Sequence, residues 1–276
     1  MINIACKIGD EYKYLSTTNF HSGEFIIPKF DYKKCDEIEV QCFYDNDADI
    51  TALLLLGAHL REIEQITGDI ELFIPYIPYS RMDRFTEKEY EQFTALKSLL
   101  SNFYYNNIYT VDLHNPSTDK GIEVIDDLIN YNFVNNYDAI ILPDKTAFLR
   151  YTNKFGFDKR MVVFDKIRKD GEIISQIVFN NTHVLDKNFL IVDDICSRGG
   201  TFVNAAKLVK ETYTPEVEVN IDLLVTHTEN GVFTGELFEH IRNLYTTDSI
   251  LTENNPLRSK IIITELFRAI DKTYII

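Results

Sequence analysis

The chain has 276 residues, 45% of them hydrophobic, and a formal net charge of −15. That length suits one large domain or two compact ones. The acidic balance excludes a general nucleic-acid binder, which needs a basic face. No window approaches the roughly 18 uninterrupted apolar residues of a membrane span, so no membrane partner is expected. Residues Met1 to Asp10 lack a basic segment followed by an apolar one, and no secretion signal is read there. The four cysteines, Cys6, Cys35, Cys42 and Cys196, show no CxxC spacing. They read as reduced thiols of a cytoplasmic protein.

In chain order, Ile38 to Phe43 reads as a strand, followed by an apolar helix with Leu53, Leu56, Leu60 and Ile63. A strand at Glu71 to Ile74 comes next. Thr86-Glu87-Lys88-Glu89 has capping-box form and opens a helix whose face is Tyr90, Phe93, Leu96, Leu100 and Phe103. Ile108 to Val111 closes this first series as a strand. Asn and Asp cluster near Asn130 to Asn136, which places a boundary between domains of residues 1–132 and 133–276. The second series has strands at Ala139 to Leu142, Met161 to Phe164, Phe189 to Val192 and Val219 to Val225. Ile261 to Ile263 adds another, near the closing segment Glu265 to Lys272. Strands alternating with helices predict an α/β fold with mainly parallel sheets.

Polar clusters fall just after these strands: Asp112-Leu113-His114, Pro143-Asp144, Asp165-Lys166, Asp193-Asp194 and Thr226-His227. A lone Asp at such a place is usually a helix cap. Five clusters at equivalent strand ends point instead to ligand binding, because open α/β sheets bind ligands at the carboxyl ends of their strands.

The richest stretch is Phe189-Leu-Ile-Val-Asp-Asp-Ile-Cys-Ser-Arg-Gly-Gly-Thr201. An apolar strand ends in two carboxylates, a turn with Gly199 and Gly200 follows, and a helix opens near Thr201 with Phe202, Ala206 and Val209 on one face. Unpaired backbone N–H groups and the helix dipole make such a turn an anion site. Adjacent carboxylates accept hydrogen bonds from sugar hydroxyls or hold a divalent cation. A polyol carrying a phosphate satisfies both halves.

Several segments, in this order, resemble the ribose-phosphate diphosphokinase (PRPP synthetase) family, and the match spans nearly the whole chain. Phe20-His21-Ser22-Gly23-Glu24 resembles the family's Phe-x-Asp-Gly-Glu loop. Pro75 to Arg84 resembles its Pro-Tyr-x-x-Tyr-Ala-Arg-Gln-Asp segment, and Val111-Asp112-Leu113-His114 its Val-Asp-Leu-His motif. Pro143-Asp144 with Arg150 is similar to the pyrophosphate loop. Asp165-Lys166-Ile167-Arg168 is similar to the start of the mobile catalytic loop, and Asp193 to Thr201 falls on the ribose-phosphate loop. Thr226-His227 through Thr234 resembles the Thr-His-Gly-x-Phe segment.

The resemblance implies two tandem type I phosphoribosyltransferase-like domains, the first carrying the ATP motifs. It implies transfer of diphosphate from ATP to the anomeric hydroxyl of ribose 5-phosphate, with Mg2+ as cofactor and AMP released. ATP would meet Phe20, Ser22, Glu24, Arg81, Met82 and His114, with His114 and Asp144 placing the metal. Lys166 and Arg168 would be the catalytic cations. Asp193, Asp194, Ser197, Arg198, Gly199, Gly200 and Thr201 would hold the ribose phosphate. The Phe20 to Glu24 loop would complete a neighbouring subunit's site, which implies a homo-oligomer, dimer or hexamer. Catalysis of this kind is mainly positioning and charge stabilisation.

Departures from the family pattern fall at the phosphate sites. Ser197-Arg198 stands where the family has Asp-Thr, which adds a cation with bidentate phosphate geometry. Lys145, Thr146 and Ala147 follow Asp144 in place of the usual glycines, and Met82 replaces a Gln. Arg198 suits an acceptor with a second phosphate, so ADP-ribose is the alternative to ribose 5-phosphate, its product serving NAD synthesis. Two other classes share part of the pattern. An inactive regulatory or scaffold relative would not need Lys166 and Arg168. A phosphoribosyltransferase that consumes PRPP would have no use for Arg81 or the Phe20 loop.

Overall fold

The computed structural model describes residues 2–82, 92–115, 121–125, 131–155, 161–169, 172–180, 187–211, 218–252 and 255–266. The chain divides into two compact units, Met1–Asp126 and Asp127–Ile276.

Unit 1 opens with strands absent from the sequence reading. β1 (Ile2–Ile8) and β2 (Glu11–Ser16) form an antiparallel hairpin. β3 (Thr18–Asn19) and β4 (Phe25–Ile26) make a separate two-stranded ribbon. β5 (Glu37–Cys42) then pairs antiparallel with β1. Helix α1 (Asp47–Ala58) starts at Asn46, whose Oδ1 accepts the Ala48 N–H at 2.9 Å while Asp49 accepts from the Asn46 N–H. This capping box satisfies N–H groups that a helix start leaves orphaned. The helix continues as a wider turn over His59–Ile63. β6 (Ile70–Phe73), α2 (Phe93–Phe103), β7 (Asn107–Thr110) and β8 (Glu123–Val124) follow. The sheet order is β2-β1-β5-β6-β7-β8, with β5 to β8 parallel. Both helices pack in one core: Leu53 and Leu56 of α1 and Leu96 and Leu100 of α2 cluster with Val40, Leu72 and Ile108. The capping-box segment at 86–89, with Tyr90, lies outside the described residues.

Unit 2 contains β9 (Ala139–Leu142), α3 (Lys145–Phe155), β10 (Met161–Lys169), β11 (Glu172–Asn180) and β12 (Asn188–Cys196). It continues with α4 (Gly200–Glu211), β13 (Asn220–Thr228), the short α5 (Leu237–His240), β14 (Leu244–Thr247) and β15 (Ile261–Thr264). The order is β11-β10-β9-β12-β13-β14-β15. Only the β10–β11 hairpin is antiparallel. Strands β10, β12 and β13 each run several residues past the sequence expectation.

The helices of unit 2 depart to opposite faces of the sheet. Ala147 and Tyr151 of α3 cluster with Leu190 and Val192 of β12. Phe202, Ala206 and Val209 of α4 cluster with Phe189 and Ile191 of the same strand. Alternate residues of one strand thus face different helices, as a period of two requires. β9 and β12 are parallel neighbours, with Ile141 opposite Ile191. The chain leaves β9 toward one face and β12 toward the other. That makes the β9–β12 pair a topological switch point, where the loops separate and a crevice opens beyond the strand ends.

Candidate functional site

The carboxylates of unit 2 converge on this switch point. Asp144 follows β9 and caps α3, accepting the Ala147 N–H at 2.9 Å. Asp193 and Asp194 lie within β12, ahead of its last residues Ile195 and Cys196, not after the strand as the sequence suggested. Asp193 Oδ1 accepts the Asp194 N–H at 3.0 Å. The two side chains differ in environment. Asp194 is 5% exposed, and its Oδ1 lies 2.8 Å from Nη1 of Arg150 on α3. Asp193 is 18% exposed, and its Oδ1 is 3.9 Å from the same nitrogen. Burial, then the negative charge of Asp194 and Asp144, holds the Asp193 carboxyl well above the usual carboxylate range.

Next comes the turn into α4. Gly199 has φ +81°, a left-handed conformation that an L side chain adopts only under strain. The Gly199 carbonyl accepts the N–H groups of Phe202 and Val203 at 2.9 Å each, which fixes the first turn of α4. Gly200, the first residue of the helix, is exposed, and so is Arg198. Behind the turn runs the segment after β13. A Cβ on Gly235 would collide with the Arg198 carbonyl oxygen, and one on Gly231 would sit 3.4 Å from the Ser197 oxygen. These two glycines let a second stretch of backbone support the turn closely. The sequence reading did not single them out, although the Thr226 to Thr234 match ran through one of them.

Thr226 and His227 lie inside β13, both 3% exposed. The His227 Nδ1 is 2.8 Å from Ser249 Oγ, and Thr247 Oγ1 donates to the Thr226 carbonyl at 2.6 Å. This network joins the ends of β13 and β14 beneath the turn. Cys196 is fully buried, and burial with nearby Glu229 and Asp193 pushes its thiol up. That environment suits a packed small residue, since nucleophilic cysteines need the thiolate.

Lys166 and Arg168 belong to β10, paired with Ser175 and Ile173 of β11, where the sequence reading has a loop. Their side chains lie outside the described residues.

In unit 1 the matched segments also follow strand ends. The segment after β6 is fixed by the Tyr79 hydroxyl, which donates to Asp47 Oδ1 at 2.8 Å at the start of α1. Tyr79 has φ +64°, rare for a bulky residue. Arg81 and Met82 follow it, both exposed. After β7, Asp112 is 2% exposed with φ +48°, and the half-buried His114 follows. Left-handed non-glycine residues mark strained turns, which concentrate at functional sites. Neither Tyr79 nor Asp112 had been assigned a role. Phe20, Ser22 and Glu24 form the exposed tip of the β3–β4 ribbon. The turn is closed by the Gly23 N–H to the Phe20 carbonyl at 2.9 Å and by Ser22 Oγ to Glu24 Oε2 at 2.6 Å.

Among the described residues no group of three or more His, Cys, Asp or Glu side chains forms a metal cluster. Magnesium keeps several waters and takes few protein ligands, all preferably oxygen. Asp144, which follows β9, is a single oxygen ligand of the kind such an ion takes. No helix of the described residues is long and apolar enough to cross a membrane.

Comparison with known proteins bears on these sites. The fold is that of the phosphoribosyltransferase-like α/β proteins. Phosphoribosylpyrophosphate synthetase from Mycobacterium smegmatis superposes with a TM-score of 0.66 at 17% identity, covering 92% of this chain and 87% of that one. No protein-family model matches the chain. The ribose-phosphate pyrophosphokinase of Pyrococcus abyssi is 30% identical over 250 residues, covering 85% of this chain and 83% of its own length. That of Thermococcus kodakarensis is 31% identical over 219 residues, covering 72% and 71%. The Haemophilus ducreyi enzyme is 26% identical over 239 residues. The chain therefore belongs to the ribose-phosphate pyrophosphokinase family, and with it to the diphosphotransferases.

Proposed function

We propose that the protein transfers the diphosphate of ATP to the anomeric hydroxyl of ribose 5-phosphate, giving PRPP and AMP. The observation that carries this reading is one continuous stretch at the switch point of unit 2. There Asp193 and Asp194 lie near the end of β12, and Ser197, Arg198 and Gly199 lead straight into α4, which opens with Gly200 and Thr201. The carboxylates accept the ribose hydroxyls. The N–H groups of the turn and the positive end of α4 receive the 5′-phosphate. The exposed Arg198 adds a second, charge-assisted contact to it.

The anomeric oxygen attacks the β-phosphorus as the bond from that phosphorus to the α-phosphate oxygen breaks, and AMP departs. Lys166 and Arg168, on the β10–β11 hairpin, supply the cations for the charge that spreads over the phosphoryl oxygens. Arg81 and Met82 after β6 and His114 after β7 hold the nucleotide. Asp144 would offer a carboxylate oxygen to magnesium, which with water and phosphate oxygens would neutralise charge on the diphosphate. The ribbon tip with Phe20, Ser22 and Glu24 is exposed, which supports a role for it in a second subunit's site and a homo-oligomeric working form.

One observation favours a larger acceptor. Arg198 stands exposed on a turn whose backbone is already held in place by Gly231 and Gly235. A second phosphate beyond the 5′ position would meet its guanidinium, and ADP-ribose has that phosphate together with a free anomeric hydroxyl. An assay of AMP release and product mass, with ATP, Mg2+ and each acceptor in turn, tests both readings. Turnover of ribose 5-phosphate alone removes the ADP-ribose reading. A protein silent with both acceptors would be a regulatory relative and not the enzyme proposed.

A further inference from the structure

Arg150 resembles the arginine of the family's pyrophosphate loop, yet its surroundings give it other work. α3 leaves β9 and packs on the face of β12 that carries Leu190 and Val192. By alternation, Asp194 is the next residue to point toward that helix. Arg150 lies three residues beyond Ala147 and directly before Tyr151, the two α3 residues buried in the same cluster. It therefore meets Asp194 at 2.8 Å, with both side chains almost fully buried, 3% and 5% exposed. Asp193 is farther from it, at 3.9 Å, and more open.

We propose that Arg150 is a positioning residue that fixes the acceptor-holding carboxylate Asp194, and is not a ligand of the transferred diphosphate. This rests on the reading of Asp193 and Asp194 as the ribose-binding pair. A guanidinium this deeply buried is stable only when paired. The carboxylate beside it is a partner at 2.8 Å, and swinging out to a phosphate would break that buried ion pair. The contact holds a fixed positive charge against the buried carboxylate. Asp194 is then held still, and the more open Asp193 faces the crevice beside it. The exposed Arg198 and Lys145 remain as phosphate cations on the surface of the site.

The test is steady-state kinetics of Arg150→Met, Arg150→Lys, Asp194→Asn and the Arg150→Met/Asp194→Asn double variant, with circular dichroism and thermal melts as folding controls. Arg150→Met is expected to raise the acceptor KM by about tenfold or more while leaving the ATP KM within about twofold, because the lost interaction is with Asp194, the carboxylate assigned to hold the acceptor. Arg150→Lys restores part of the loss. In the double variant the two losses fall short of multiplying, as for residues acting through one contact. A rise in ATP KM with unchanged acceptor KM, or losses that multiply fully, would overturn the proposal. If Arg150→Met does not fold, the same KM split is read on Arg150→Lys. If the wild type releases no AMP, the functional reading fails by itself. Calorimetric binding of ribose 5-phosphate to wild type and Arg150→Lys then decides the role of Arg150. Weaker binding by the variant supports it, and equal binding, or none by either, ends it.

Discussion

The two sheets use the same strand–helix alternation in different ways. In unit 1 the chain runs β5-α1-β6-α2-β7 in one direction across the sheet, so both helices share one face and one core. In unit 2 it reverses between β9 and β12, and α3 and α4 cover opposite faces. Only the second arrangement draws two parallel neighbours apart at their carboxyl ends. The consequence is visible in the residues. Unit 2 gathers three carboxylates, a buried arginine and a glycine turn at one strand end. Unit 1 presents its matched residues on strained or exposed segments after β6 and β7 and on a projecting ribbon. Unit 2 brings its candidate residues together at one place, and unit 1 spreads its own over separate segments.

That contrast is broken most severely at the β10–β11 hairpin. Lys166→Ala removes one of two cations assigned to the transferring diphosphate. The expected loss is roughly 100-fold to 1000-fold in kcat, the usual cost of losing one transition-state charge donor. AMP release from ATP measures it. An Ala variant that keeps most of its kcat would move the chemistry away from this hairpin. The next effect separates the units by subunit. Phe20→Ala, at the ribbon tip, should itself lose activity. Mixed with Lys166→Ala after subunit exchange, it should recover activity that neither variant has alone. Lack of recovery would mean that the ribbon does not serve a neighbour's site.

Asp193→Asn sharpens the comparison from the side of stability. The folded-state pKa of Asp193 is raised, so the folded protein binds this proton more tightly than the unfolded chain. Its contribution to stability is full below the ordinary carboxylate pKa and is lost as pH rises through the raised value. Above the ordinary carboxylate pKa, Asp193 in these surroundings is therefore a cost. Asn removes the charge, and the metal-free variant should melt higher at pH 7, by about 1 kcal/mol or a few degrees. Its advantage should shrink as pH falls toward 4. Acceptor binding should weaken in the same protein. A lower melting temperature at pH 7 would show that the Asp193 charge is already compensated.

Much of this organisation was legible in the chain because the apolar strands are short, continuous and followed by polar residues. Ala139 to Leu142 and Phe189 to Val192 are buried on both faces, as central parallel strands must be. The α4 face of Phe202, Ala206 and Val209 is where the 3.6-residue period puts it. The missed elements had weaker or misleading signals. β2 is largely exposed, so Glu11 to Ser16 carries little hydrophobic pattern. The β10–β11 hairpin stands where the family resemblance of Asp165 to Arg168 implies a mobile loop. Asp170-Gly171, a hairpin-turn dipeptide between two β-rich runs, was the available clue. The pairing of Arg150 with Asp194 could not be read at all. It depends on α3 and β12 lying on the same side of the switch point, a tertiary fact 44 residues apart in the chain.

The smallest predicted effect contrasts the two ends of the unit 2 sheet. Asp222, at the amino end of β13, is fully buried like the site carboxylates, but it is surrounded by donors. The Tyr137 hydroxyl reaches it at 2.7 Å, Arg242 Nη2 at 2.6 Å and Nε at 3.1 Å, and the Asn243 N–H at 3.0 Å. Asp193, at the other end of the same sheet, receives the Asp194 N–H and faces two neighbouring carboxylates. The satisfied carboxylate holds the fold, and the crowded one is the carboxylate proposed to bind the acceptor. Tyr137→Phe removes one donor from Asp222 and leaves the others in place. It should cost about 1 kcal/mol of stability, a fall of a few degrees in Tm. kcat and both KM values should stay within error, because the change lies at the end of the strands where no ligand binds. A variant with intact Tm but altered acceptor KM would mean that the amino end of β13 is coupled to the site, and the division of labour along the strand would have to be given up.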